Sequence, residues 1–276
     1  MPLSPGLFLL LLSGLQAAGA PESHVRALVG SSVRLGCVFP GGSSFDLNDL
    51  FVYWQISGSG TVVAYYLSRN DSEDHVDGRY RSRAHLSLDS MRRGDFSLLL
   101  RDVSPDDAQK FSCLVFRKSL EMERILGMEI RLHVAANFSV PVVSSPTRGR
   151  ELTFTCTSTD GYPRPNVYWI NKTDNSVLAG APQNHTVSVN ARGLYDVVSV
   201  LTLPLCPGVD VGCCVENALL SQNLTGSSRP GDRAVALEGE RSDQAAQSLC
   251  PGHRPGSEMP PAGPWTQLQD GLRQAR

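Results

Sequence analysis

Two tandem β-sandwiches, the first of variable type and the second of constant type, are the all-β fold that this sequence predicts, followed by a disordered C-terminal tail. Three observations carry the prediction. Cys37 and Cys113 flank Trp54, which sits on the β-rich run Phe51-Val52-Tyr53-Trp54-Gln55-Ile56. Cys156, Trp169 and the vicinal pair Cys213-Cys214 repeat that pattern further along. The intervening apolar runs are short, alternate with period two and are separated by turn residues. A Trp on strand C packed against a bridge between strands B and F is the pin-and-core pattern of an immunoglobulin sandwich.

The 276 residues suffice for two domains of about 100 residues each. A formal net charge of −2 leaves no basic footprint for nucleic acid. The opening run Leu7-Phe8-Leu9-Leu10-Leu11-Leu12, with small residues through Ala17-Ala18-Gly19-Ala20, reads as a secretory signal peptide over residues 1–20. Five sequons agree with export, placing candidate glycans on Asn70, Asn137, Asn171, Asn184 and Asn223. In that oxidising compartment the seven cysteines are disulfide formers by default. No later stretch approaches the roughly 20 apolar residues of a membrane span, so the sequence alone predicts a secreted product.

The first domain is expected over residues 21–134. Val25 to Gly30 and Ser32 to Cys37 alternate as strands A′ and B, with Val33, Leu35 and Cys37 on one face. Strand C carries Trp54 inward, so Val52 and Ile56 also point in, while Phe51, Tyr53 and Gln55 point out. Thr61 to Tyr66 reads as strand C′, and the Cys37–Cys113 interval leaves room for C″ as well. Phe96, Leu98 and Leu100 mark strand E, with Met91-Arg92 in the turn before it. On strand F, Phe111, Cys113 and Val115 face inward, which sends Leu114 and Phe116 outward. Ile130, Leu132 and Val134 close the sheet as strand G. Phe111 stands where many such domains carry a Tyr, so the corner hydroxyl bond is lost while the packing is kept. Asp107 reads as a corner ion-pair partner for Arg83 or Arg81.

The second domain is expected over residues 135–226, joined so tightly through Val134-Ala135-Ala136-Asn137 that the sandwiches stand end to end. Leu152 to Cys156 is strand B, Gly161-Tyr162-Pro163-Arg164-Pro165 a turn-rich B–C loop, and Val167 to Ile170 strand C. Tyr195 to Leu201 reads as strand E. Val211, Cys213 and Val215 share a face, which favours a Cys156–Cys213 bridge; a bulge at Gly212 would give Cys156–Cys214 instead. Cys206 and Cys250 have no assigned partner. Residues 227–276 are rich in Pro and poor in β-branched apolar residues, too few to offset the entropy of ordering.

Catalytic and cofactor motifs are missing. There is no Gly-x-Ser-x-Gly elbow, no His-Glu-x-x-His helix and no phosphate-cradling Gly-rich loop. The six histidines are scattered singly and no Cys-x-x-Cys occurs, so neither a metal nor an enzyme is expected. A protein-binding face is the better reading. Phe51, Tyr53, Gln55, Leu114 and Phe116 share the outer surface of one sheet, and Met122 in the F–G loop can rim it with an adaptable side chain.

The long run Phe45 to Gln55 resembles the butyrophilin-related T-cell costimulatory ligand family. So do Arg93 to Leu98, Val134 to Pro141 and Gly161 to Thr173, and the resemblance covers residues 1 to 226. It implies docking to the inducible T-cell costimulator receptor on activated T cells, promoting proliferation, cytokine secretion and help to B cells. Family members of this kind are anchored at the external side of the plasma membrane by a spanning helix that residues 227–276 lack, which makes a soluble decoy the alternative. Arg93-Gly94-Asp95 resembles the Arg-Gly-Asp loops of adhesion proteins, and that likeness implies an integrin as a further partner if the tripeptide projects from an exposed tip.

Overall fold

A computed structural model describes residues 22–68, 75–144, 147–148, 151–204 and 210–227. The signal segment, Asn70, Cys206, Cys250 and residues 228–276 lie outside the described residues.

The first sandwich comprises β1 (Glu22–Leu28), β2 (Val33–Leu35), β3 (Leu50–Ile56), β4 (Val62–Leu67), β5 (Ala84–His85), helix α1 (Leu88–Arg92), β6 (Leu98–Leu100), β7 (Lys110–Arg117) and β8 (Glu123–Ala135). Its five-stranded sheet runs β1-β8-β7-β3-β4, and the facing sheet runs β2-β6-β5. In strand nomenclature these are A′GFCC′ and BED, the arrangement of a variable-type domain. Among the described residues no C″ strand follows β4. The chain instead turns through Asp77 to Arg83 and buries Tyr80 edge-on against Phe111. That ring fills the space beside the position where a corner tyrosine would stand.

The alternation of β3 is complete: Leu50, Val52, Trp54 and Ile56 are buried, and Phe51, Tyr53 and Gln55 are half-exposed. Trp54 donates its indole N–H to the Phe96 carbonyl at 3.0 Å, so its one polar atom is satisfied inside the core. The core is closed by a Cys37–Cys113 bridge. Asp107 is paired through both guanidinium arms of Arg83, at 2.8 and 3.0 Å, while Arg81 turns to the Val76 carbonyl.

Two local expectations change. Met91-Arg92 is not a bare turn but the end of α1, capped by the Ser87 hydroxyl accepting from the Ser90 amide, with Met91 fully buried. The cap and the buried methionine together explain why one helical turn forms here. The tripeptide Arg93-Gly94-Asp95 is not an exposed tip. Gly94 is buried with φ +81°, and a side chain there would meet Phe45 at 3.1 Å. The Asp95 carboxylate is occupied by Arg34 and by the amide and hydroxyl of Ser97, at 3.2 and 2.6 Å. Only Arg93 is free to solvent, so the integrin reading loses its geometry.

The second sandwich comprises β9 (Val142–Val143), β10 (Thr147–Arg148), β11 (Glu151–Gly161), β12 (Asn166–Asn171), β13 (Ser176–Val177), β14 (Gln183–Val189), β15 (Tyr195–Pro204), β16 (Val211–Asn217) and β17 (Gln222–Ser227). One sheet runs β10-β11-β15-β14 with β9 also on β11, and the other runs β13-β12-β16-β17. Cys156 pairs with Cys213, and the Gly212 register is regular on both sides. Cys214 is therefore a buried thiol on the opposite face, 3.3 Å from the Thr225 hydroxyl.

Instead of ending at a loop, β11 runs through a bulge to Gly161 and delivers Tyr162 to the first domain's core. Ala136 and Tyr162 exchange backbone bonds, and the buried Asn217 amide donates to both of their carbonyls at 3.0 and 2.9 Å. No free linker remains between the sandwiches.

At the β1–β8 edge His24 Nδ1 lies 2.9 Å from His133 Nε2, with the rings stacked. This bond requires one unprotonated nitrogen. Burial, then His24, Arg131 and Arg26, hold His133 below its usual 6.5, with Glu22 opposing; Glu22 is itself paired with Arg131 and Lys110. A folded pKa below the unfolded one means that the unfolded chain takes the proton more readily. The pair's stabilisation is thus present above pH 6.5 and lost as pH falls through the lowered His133 value. Amide exchange along β1, corrected for intrinsic rates, is expected to quicken between neutral and mildly acidic pH, and less so in His133→Gln. Equal pH dependence in both proteins refutes this.

Candidate protein-binding face

The outer surface of the β1-β8-β7-β3-β4 sheet carries an aromatic band. Phe51 faces Phe116 across β3 and β7, with ring centroids 5.9 Å apart and edge to face. Phe51 and Tyr53 are 4.9 Å apart along β3. Tyr53 stacks on Tyr65 of β4 at 5.7 Å, and Tyr65 leads to His75 at 6.1 Å. Leu114 lies opposite Tyr53, and Gln55 continues the row beside Ser112. The structure thus brings Phe51, Tyr53, Gln55, Leu114 and Phe116 onto one half-exposed surface. Tyr65 and His75 extend it beyond the sequence reading. The signal for Tyr65 was the β3–β4 hairpin itself, whose register sets it opposite Tyr53.

Met122 is further out, exposed at the β7–β8 tip with Leu120. Glu121 and Met122 both adopt left-handed backbone, at φ 52° and 63°. Non-glycine residues resist that conformation, so the surroundings must hold it. Asp49, at the entry to β3, supplies the hold. Its carboxylate accepts from the Ser119 amide and hydroxyl, each at 2.7 Å, and from Arg117 Nε at 2.8 Å. The Ser119 hydroxyl and amide, then Arg117, bring the Asp49 carboxyl down to about 2, so the clamp is charged at any physiological pH. Lys118 reaches across to the Ser68 hydroxyl and ties the tip to the end of β4.

The remaining candidates are dispersed. Asn137, Asn184 and Asn223 face solvent and Asn171 is half-buried. Asn171 accepts from the Thr173 amide in an Asx turn, and the Asn223 amide donates to the Tyr168 hydroxyl. Among the described residues no group of three or more His, Cys, Asp or Glu side chains is placed to hold a metal ion. None of their helices is long and apolar enough to cross a membrane.

A half-exposed aromatic band with an adaptable rim suits the recognition of another protein. Comparisons with known proteins agree on the class. The immunoglobulin V-set domain family matches residues 20–135, and the family of Ig-C domains like that of butyrophilin subfamily 3 member A2 matches residues 139–225. Human ICOS ligand is 60% identical over 231 residues, covering 83% of this chain and 76% of that protein. Butyrophilin subfamily 1 member A1 of Mus musculus is 30% identical over 204 residues, 74% of this chain and 37% of that protein. Among solved structures, that of ICOS in complex with ICOS-L and an anti ICOS-L VNAR domain matches with a TM-score of 0.72 and 61% identity, over 76% of this chain and 100% of that one. Bovine butyrophilin, at 22% identity and a TM-score of 0.63 over 75% of this chain and 95% of that one, shares the fold. By the 60% identity, the chain belongs to the ICOS ligand family, non-enzymatic immunoglobulin-domain costimulatory ligands that act outside the cell or at its surface.

Proposed function

We propose that this protein is a ligand of the inducible T-cell costimulator receptor, docking through the outer sheet face of its first domain. The observation that carries the reading is the unbroken band Phe116-Phe51-Tyr53-Tyr65 across three neighbouring strands. Its support is the 60% identical human relative, whose family includes a solved complex of ICOS with ICOS-L. Engagement would costimulate T-cell proliferation, cytokine secretion and B-cell help when the ligand is held at a surface. Released from a surface, the same face would occupy the receptor as a decoy. T cells given the protein immobilised or in solution separate those two outcomes.

Central aromatics at protein interfaces commonly cost 2 kcal/mol or more on truncation, about thirtyfold in affinity. Tyr53→Ala and Phe116→Ala are each expected to weaken receptor binding by about that factor. Both side chains are half-exposed and lie outside the core, so folding should survive. Unchanged affinity in both variants, with intact melting curves, would falsify this face.

A further inference from the structure

We infer that Arg124 is a specificity-determining cation of this face, and that the docked receptor surface sets an acidic group against it. The inference rests on the proposed reading of the face and names the chemistry of its partner. Its origin is a bulge. On β8, Leu126 pairs with Val115 but Arg124 pairs with Phe116, so Ile125 is one residue more than the ladder needs. An extra residue shifts the alternation by one, which puts Arg124 and Gly127, three apart, on the same outer face. Gly127 stands opposite Leu114, inside the apolar surface, and Arg124 stands opposite Phe116.

The bare Gly127 leaves a berth that the Arg124 side chain occupies. A methyl group placed on Gly127 would meet Arg124 Cδ, Nε and Cζ at 3.6, 3.6 and 3.7 Å. The Arg124 side chain therefore runs back over Gly127, the residue opposite Leu114, and stays exposed to solvent. Its neighbours on β7 and β8 are all engaged: Lys110 with Glu22 and Glu129, Arg117 with Asp49, and Arg131 with Glu22. Arg124 alone among the Lys and Arg of these two strands has no carboxylate partner among the described residues. Glu121 and Glu123 stand on the same tip and are not within ion-pair distance of it.

A guanidinium is weakly hydrated for a cation, and one with no carboxylate partner of its own keeps its donors free for a carboxylate from outside. At the border of an aromatic patch such a group adds discrimination and association rate more than raw affinity. A receptor that presents an apolar knob with an acidic flank fits this surface. One with a basic flank is repelled.

The test is binding of the receptor ectodomain to the intact chain over a range of salt concentrations. Arg124→Glu is expected to weaken binding at least about tenfold at physiological salt, chiefly through slower association. Arg124→Gln should weaken it less and flatten the salt dependence, and Arg124→Lys should restore that dependence. Tyr53→Ala is measured alongside. If Arg124→Glu binds like the wild type while Tyr53→Ala does not, the cation plays no part and the inference is overturned alone. If neither substitution matters, the face itself is wrong, and the inference goes with it.

Discussion

Replacing Arg83 by Met is expected to cost the first domain about 3–5 kcal/mol, the usual consequence of removing one partner of a buried ion pair. Domains have only about 5–15 kcal/mol in hand, so this variant sits close to unfolding. Asp107 is 1% exposed and keeps only short-range help: the Ser104 amide at 2.8 Å, its hydroxyl at 3.3 Å and the Tyr80 hydroxyl. Arg83 does more than neutralise it. The same guanidinium donates to the Asp102 carbonyl at 2.8 Å and the Arg101 carbonyl at 3.2 Å, and lies over the Tyr80 ring. Burial, then the neighbouring Asp107 charge, push the Tyr80 phenol up to about 12, so it remains a neutral donor throughout. Arg83→Lys keeps the charge but not the two-armed fork, and should fall between wild type and Met. Adding Asp107→Asn to Arg83→Met should recover part of the loss, because the orphaned charge goes. The measurement is denaturant unfolding of the intact chain, with exchange at the Phe111 and Cys113 amides reporting on the first domain. A loss under about 1 kcal/mol would mean that water screens this pair.

Wherever one short rule governs, the sequence is legible. Period-two alternation finds the inward and outward sets of β3 and β7, and it orders the vicinal cysteines correctly because β16 runs without a bulge past Gly212. It fails where an extra residue enters the ladder. The bulge at Ile125 hides Arg124, and the one between Trp54 and Gln55 shifts the β3–β4 hairpin that brings Tyr65 to Tyr53. No local signal in Glu123-Arg124-Ile125-Leu126 announces a change of face. The aromatic band was thus half-readable: its two central strands, but not its flanks.

Tripeptides are legible only as local possibilities. Arg93-Gly94-Asp95 has the residues of an adhesion loop, yet its fate depends on Arg34 and Phe45, brought from elsewhere in the chain, and on Ser97 just before β6. The Asp95 carboxylate anchors Ser97, and the Ser97 hydroxyl accepts from the Cys37 amide at 3.0 Å. What reads as a ligand in one dimension is a brace for the bridged strand in three.

Cys213→Ala is expected to destabilise the second domain by about 4 kcal/mol, the chain-entropy value for opening a loop of this size. Cys213 and Cys156 are separated by 57 residues in sequence, so the reduced chain regains a large ensemble. Cys214 offers no rescue. Its side chain leaves the opposite face of β16, buried near Tyr168 and Thr225, with Trp169 and the Cys156 sulfur across the backbone. Swapping partners would require rotating the strand, which would drive Val215 and Val211 out of the core. Cys214→Ala should be mild by comparison, about 1 kcal/mol or less, because it removes one small sulfur whose polar contacts, to the Thr225 and Tyr168 hydroxyls, are weak. Peptide mapping without reductant, together with melting curves of the two variants, decides the matter. Wild-type stability in Cys213→Ala, or a Cys156–Cys214 peptide from the native protein, would show that β16 sits one residue out of register.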